Sequence, residues 1–128
     1  MIHGIGTDIL KIERIATILN MNPEDPFFRK TYTKKELNLI KQRPTPLYSY
    51  ATRFAGKEAV FKSMGIGGND IRLDDIEILE AENGQPFVIL LGKAKEIADQ
   101  KGISQVLISL SYDTDYAIAY ATSIIDLK

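Results

Sequence analysis

Residues 53–65 read RFAGKEAVFKSMG, the second half of a helix expected over about 47–64 and stopped by Gly65. At ~100° per residue, Glu58 falls between Phe54 and Phe61 on one side and Ala51 and Ala55 on the other. The helix thus carries a carboxylate within its apolar stripe, while Arg53 and Lys57 lie on a different flank. A long helix of this kind needs a partner layer, and the segments around it supply one.

Before the helix, residues 2–10 (IHGIGTDIL) alternate as a strand. His3, Ile5, Thr7 and Ile9 share one face, and Ile2, Gly4, Gly6, Asp8 and Leu10 share the other. A helix is expected over 11–20, with Ile12, Ile15, Ala16 and Leu19 as its apolar stripe. NPEDP (22–26) reads as a loop. Thr33 and Glu36 form a capping box for a short helix to about Gln42, which RPTP (43–46) breaks. After the long helix the period changes. IEILEA (76–81), Asn83-Gly84 and QPFVILL (85–91) read as a hairpin, and KAKEIADQK as a helix ended by Gly102. QVLISLS (105–111) and DYAIAYATSII (115–125) form a second hairpin around a Tyr-Asp-Thr turn. The order implies one α+β domain, 1–128, with an antiparallel sheet packed against a long central helix.

Composition narrows the chemistry. With 128 residues, 45% of them apolar and 26% charged, the chain is long enough for a core without metal or disulfide staples. A net charge of -1 argues against a nucleic-acid binder built on overall positive potential. Cysteine is absent and His3 is the single histidine, so any metal must be held by oxygen ligands, which suit magnesium, manganese or calcium. No apolar run approaches the ~20 residues of a membrane span, and MIHGIGTDIL lacks the pattern of a secretory signal. A soluble cytoplasmic protein without a membrane partner is expected.

Two carboxylates stand out, each with two readings. Asp8 is either the N-cap of the following helix or a ligand beside Gly4 and Gly6, which clear room for an approaching backbone or phosphate. Glu58 either pairs with Lys62 one turn on, or joins Asp8 in holding a hard divalent cation while Lys62 reaches a phosphate. Arg53 either contacts a phosphate or is solvated. GIGG (65–68) reads as a cap, because a helix C-terminus has the wrong dipole sign for an anion. Ser109 and Ser111 share one strand face. One histidine excludes a Ser-His-Asp triad, and there is no Walker A or dinucleotide fingerprint.

Taken together, GIGTDI (4–9), RFAGKEAVFKSMG (53–65), DIEIL (75–79) with NGQPFV (83–88), and ISLSYDTDYAIAYA (108–121) resemble the holo-acyl-carrier-protein synthases, small 4'-phosphopantetheinyl transferases. The resemblance implies transfer of phosphopantetheine from coenzyme A to a serine of apo acyl carrier protein, releasing 3',5'-ADP. It implies magnesium held by Asp8 and Glu58, with Glu58 as general base, directly or through water. Lys62 and Arg53 would meet the coenzyme A phosphates; Gly84 and Pro86 would lie near the nucleotide. Gly65, Ser111 and Tyr112 complete the coenzyme A-binding set, and Arg14 would meet an acidic carrier protein. Family members are homotrimers with sites between subunits. One residue departs from the pattern: Tyr112 stands where Ser-x-Ser-His would place a histidine. Tyrosine donates a hydrogen bond but is not cationic near neutral pH, so weaker coenzyme A binding with catalysis retained is expected. The rival readings are a catalytically impaired coenzyme A or carrier-protein binding module of the same fold, and a purely structural oligomerisation domain.

Overall fold

The structure, a computed structural model, describes residues 1–67 and 71–126. A strand β1 (Ile2–Lys11) is followed by helices α1 (Ile12–Met21), α2 (Pro26–Thr31), α3 (Lys34–Lys41) and the 19-residue α4 (Pro46–Met64). A 3₁₀ turn (Leu73–Asp75) leads into β2 (Ile76–Glu80) and β3 (Pro86–Leu90). Then come α5 (Gly92–Lys101), β4 (Ile103–Tyr112) and β5 (Tyr116–Ile125). The strands form an antiparallel three-stranded sheet in the order β1-β5-β4 and a separate β2-β3 hairpin. This is the α+β arrangement implied by the sequence, with α4 lying across the inner face of the larger sheet.

Close packing between α4 and β1 sets the geometry of everything else. A Cβ at Gly6 would stand 2.2 Å from the Ala59 carbonyl oxygen, and one at Gly4 would stand 2.3 Å from that of Ser63. The glycines of GIG therefore clear room for the backbone of α4, not for a ligand. Ala51, Ala55 and Ala59 of α4 and Ala117, Ala119 and Ala121 of β5 are buried, so small residues meet along the seam. Larger side chains (Val60, Met64, Ile76, Ile78) belong to the same buried core.

The helix ends follow local chemistry. Pro46 occupies the first turn of α4, one residue earlier than expected, where its missing N–H costs nothing. Gly65, at φ 73°, closes the helix in a Schellman turn, its N–H donating to Lys62 O and that of Ile66 to Phe61 O. The cap reading of 65–67 holds, and Gly68 lies outside the described residues. The Thr33–Glu36 capping box is formed. Helix α2 has no counterpart in the sequence reading, because six residues are too few to show a period. Asp25 caps it by accepting from Phe27 N at 2.9 Å, with Pro26 at its first position. Tyr112 belongs to β4, and the turn is Asp113 to Asp115, where the Asp113 carboxylate accepts from the Asp115 and Tyr116 N–H groups.

Candidate active site

The residues singled out above separate into two groups on different flanks of α4. The first surrounds Asp8. On β1 the inner face runs Gly4, Gly6, Asp8, so the glycine contact that seats α4 also brings Asp8 beside its C-terminal half. Lys62 Nζ donates to Thr7 O at 2.9 Å and stands 3.4 Å from Asp8 Oδ1. The ion pair of Lys62 is thus with Asp8 across the helix–strand seam, not with Glu58 along the helix. Asp8 is not a cap either: the N-cap of α1 is Lys11, with no side-chain hydrogen bond. Glu58 is half-buried. Burial, and after it the charge of Asp8, pushes its carboxyl above the usual carboxylate range, while Lys62 pulls it back down.

The Asp8 carboxylate, close enough to Glu58 to disfavour its ionisation, and Glu58 itself, with one exposed ammonium as counter-charge, make a hard oxygen donor set. Such a set fits a magnesium ion that takes its remaining ligands from substrate phosphates and water. The Lys62 side chain is 55% exposed, so it can leave Asp8 without unfolding anything.

The second group lines a cleft of about 510 Å³ between the start of α4, the end of β4 and the β2–β3 turn. Arg53 is part of its wall and is not solvated: it is 3% exposed, with Nε donating to Ile78 O at 3.1 Å. Its Nη2 lies 3.5 Å from Glu80 Oε1 and makes no hydrogen bond. Glu80 also pairs with Arg43, from the segment joining α3 to α4. Tyr112 stacks on Tyr48, ring centroids 4.7 Å apart and planes 18° from parallel, giving the cleft an aromatic wall. Gly84 (φ 85°) and Pro86 form the rim. Arg43, Tyr48 and Glu80 were not legible as site residues; the only signal was the position of Arg43 and Tyr48 around the RPTP break.

The remaining candidates sit elsewhere. Ser111 points to the outer face of the sheet, opposite to the cleft, and is exposed. Gly65 is exposed at the end of α4, and Arg14 is exposed on α1. Around the axis of α4, Arg53 and Glu58 diverge by ~140°. None of Asp8, Glu58 and Lys62 lines the cleft, so a single copy of the chain does not merge the two groups. Its outer sheet face carries exposed Ile5, Ile9, Leu107, Ile118 and Tyr120, with Ile9 directly opposite Ile118.

Known proteins share this architecture. A family model described as the 4'-phosphopantetheinyl transferase superfamily matches residues 4–121. The holo-[acyl-carrier-protein] synthase of Caldanaerobacter subterraneus is 39% identical over 120 residues, covering 94% of this chain and 93% of that protein. The synthase of Ruminiclostridium cellulolyticum is 42% identical over 119 residues, covering 91% and 88%. Among solved structures, holo-ACP-synthase from Plasmodium yoelii superposes with a TM-score of 0.86 at 35% identity, covering 99% of this chain and 98% of that one. Helicobacter pylori holo-[acyl-carrier-protein] synthase in complex with coenzyme A gives 0.80 at 30% identity, covering 94% and 99%.

Proposed function

The chain belongs to the 4'-phosphopantetheinyl transferase superfamily, among its holo-acyl-carrier-protein synthases, and from that membership we infer how its residues divide the reaction. It transfers the 4'-phosphopantetheine group of coenzyme A to a serine hydroxyl of acyl carrier protein. In our reading one domain, 1–128, acts in the cytoplasm, and 3',5'-ADP is the leaving group. The observation that carries the assignment of roles is the juxtaposition of Asp8 and Glu58, imposed by the glycine contact between β1 and α4.

Asp8 and Glu58 would hold the magnesium ion. When bound, magnesium supplies Lewis-acid neutralisation of the pyrophosphate. Lys62, released from Asp8, would reach a phosphate oxygen. The serine oxygen forms the new bond to phosphorus as the bond to the 3',5'-ADP oxygen breaks, and Glu58 accepts the serine proton. A carboxyl pushed up from its ordinary range is a better base than a solvated one. The cleft would take the nucleotide end of coenzyme A, with Arg53 and Arg43 toward phosphate and the Tyr48–Tyr112 pair against the base. Arg14 would face the carrier protein.

The two groups lie apart on one chain, and an apolar sheet face stands uncovered beside them. Both features support a homotrimer in which the cleft of one copy meets the carboxylates of the next. The deciding experiment is intact-protein mass spectrometry of apo acyl carrier protein with this protein, coenzyme A and magnesium. A gain of one phosphopantetheine group is expected, lost with chelator and in Glu58→Ala. Coenzyme A binding without any gain would return the binding-module reading.

A further inference from the structure

The charged residues lining the cleft are Arg43, Arg53 and Glu80. Glu80 sits at the end of β2, in register with Pro86, and its carboxylate lies between the two guanidiniums. Its hold on them is unequal. Oε2 makes a tight pair with Arg43, whereas Oε1 stands 3.5 Å from Arg53 Nη2 without a hydrogen bond. Arg53 is 3% exposed, so water does not replace the missing partner. Buried guanidinium N–H groups that line a cleft and lack an acceptor are poised for an anion.

We propose that Glu80 is an internal competitor for the anion site of this cleft. In the free protein its carboxylate neutralises one of two guanidinium charges, and an entering phosphate takes Arg53 Nη2 away from it. The affinity for a nucleotide phosphate is then set by a difference, the phosphate's hold on Arg53 less that of Glu80. Glu80 accordingly sets the threshold of the site: only an anion that holds Arg53 more strongly than a carboxylate does, as a phosphate with its greater charge and better-aligned acceptors would, takes Arg53 from it. It also keeps the arginine pair compensated while the cleft is empty. The inference rests on the reading that the cleft takes the nucleotide end of coenzyme A, and its test separates the two.

The probe is 3',5'-ADP, titrated calorimetrically without magnesium at fixed salt into wild type, Glu80→Gln and Tyr112→Ala. Tyr112 is exposed at the cleft mouth, so its truncation leaves the core intact. Glu80→Gln keeps the shape of the side chain and removes its charge. We expect it to bind about 3- to 10-fold tighter, the size of one partly exposed ionic contact, and Tyr112→Ala to bind more weakly. Weaker binding by Tyr112→Ala with unchanged or weaker binding by Glu80→Gln would leave the cleft as the nucleotide site and overturn the role of Glu80. Unchanged binding by Tyr112→Ala, without tighter binding by Glu80→Gln, would overturn both. A crystal structure of the wild-type protein with 3',5'-ADP tests the same point without a variant. Arg53 Nη2 should contact phosphate, with Glu80 beyond ion-pair distance; a Glu80–Arg53 contact kept at 3.5 Å would overturn the proposal.

Discussion

Lys57 and Glu36 form an ion pair of 2.7 Å in which neither side chain is exposed to solvent at all. Lys57 Nζ also donates to the carbonyls of Leu73 and Ile76, while Glu36 accepts from Thr33 N and Ile78 N. One buried pair thus ties α3, the 3₁₀ turn and β2 to α4, one residue before Glu58. Burial pulls the Lys57 ammonium down, and Glu36 is the strongest influence in the other direction.

Cutting one member of that pair leaves the other as an uncompensated buried charge. Lys57→Met should cost about 3–5 kcal/mol, and Glu36→Gln a similar amount. The double variant should cost clearly less than the sum of the two, because it leaves no orphaned charge. Urea melts of the four proteins measure this directly. Additive losses would mean that the two residues act independently.

Gly6→Ala tests the seam between β1 and α4. The new Cβ meets a backbone carbonyl at 2.2 Å, and backbone cannot rotate away, so α4 must shift. We expect a loss of roughly 1–3 kcal/mol, typical of overpacking, and a larger relative loss of transfer activity, because Asp8 and Glu58 separate. Gly67→Ala, with nothing within 4 Å, serves as the control. Retained activity in a destabilised Gly6→Ala would detach the seam from the site.

How much of this could be read beforehand depends on the range of the interaction. The capping box of α3 was legible because Thr33 and Glu36 are three residues apart and their pairing is local. That the same Glu36 carboxylate serves a lysine 21 residues away was not, since a helical wheel orders residues around one axis and says nothing of what lies opposite. The wheel therefore drew attention to Glu58 as the charge in the apolar stripe, whereas Lys57 and Arg53 are the ones buried. Glu58 is only half-buried. Its neighbour Asp8 arrives from a strand fifty residues earlier; the residue chemistry offered their joining only as one of two readings, and the motif resemblance chose between them. The contact of Arg43 with Glu80, 37 residues apart, had no sequence signal of either kind.

The carboxylate pair gives a pH signature. Glu58 has its folded-state pKa raised, so between its unfolded and folded values the native protein binds more protons than the unfolded chain. Its contribution to stability therefore falls as pH rises through that window, stays unfavourable above it, and vanishes below the unfolded value. In EDTA, Glu58→Gln should melt higher than wild type at pH 8, with the gap closing toward pH 4. Magnesium should raise the wild-type Tm at pH 8 far more than that of the variant. A gap that widens on acidification would contradict the assignment.

Tyr112 offers a gain-of-function test. Its ring is committed to Tyr48, and a phenol brings no positive charge to the cleft. Tyr112→His keeps a planar ring for the stack and adds a group that is cationic below its pKa of about 6.5. The KM for coenzyme A should fall, more at pH 6 than at pH 8, with kcat little changed. An unchanged or higher KM at pH 6 would mean that the stack, not the missing charge, matters at this position.

The division of the site between copies makes the sharpest prediction. Ile118 lies on the central strand of the exposed sheet face, opposite Ile9 on β1 and Ser111 on β4. Ile118→Lys should turn the assembly into monomers by analytical ultracentrifugation and abolish transfer, although neither half-site is touched. Complementation then separates a shared site from a merely stabilising contact. Glu58→Ala spoils the carboxylate half and Arg53→Gln the cleft half, so each homotrimer is inactive. In a mixed ring, one junction joins an intact cleft to intact carboxylates. Random assembly from equal amounts should therefore restore about a quarter of the wild-type rate, by counting cyclic arrangements. No recovery in demonstrably mixed trimers would place both halves within one copy, and the cleft would then have to reach Glu58 by a rearrangement around α4.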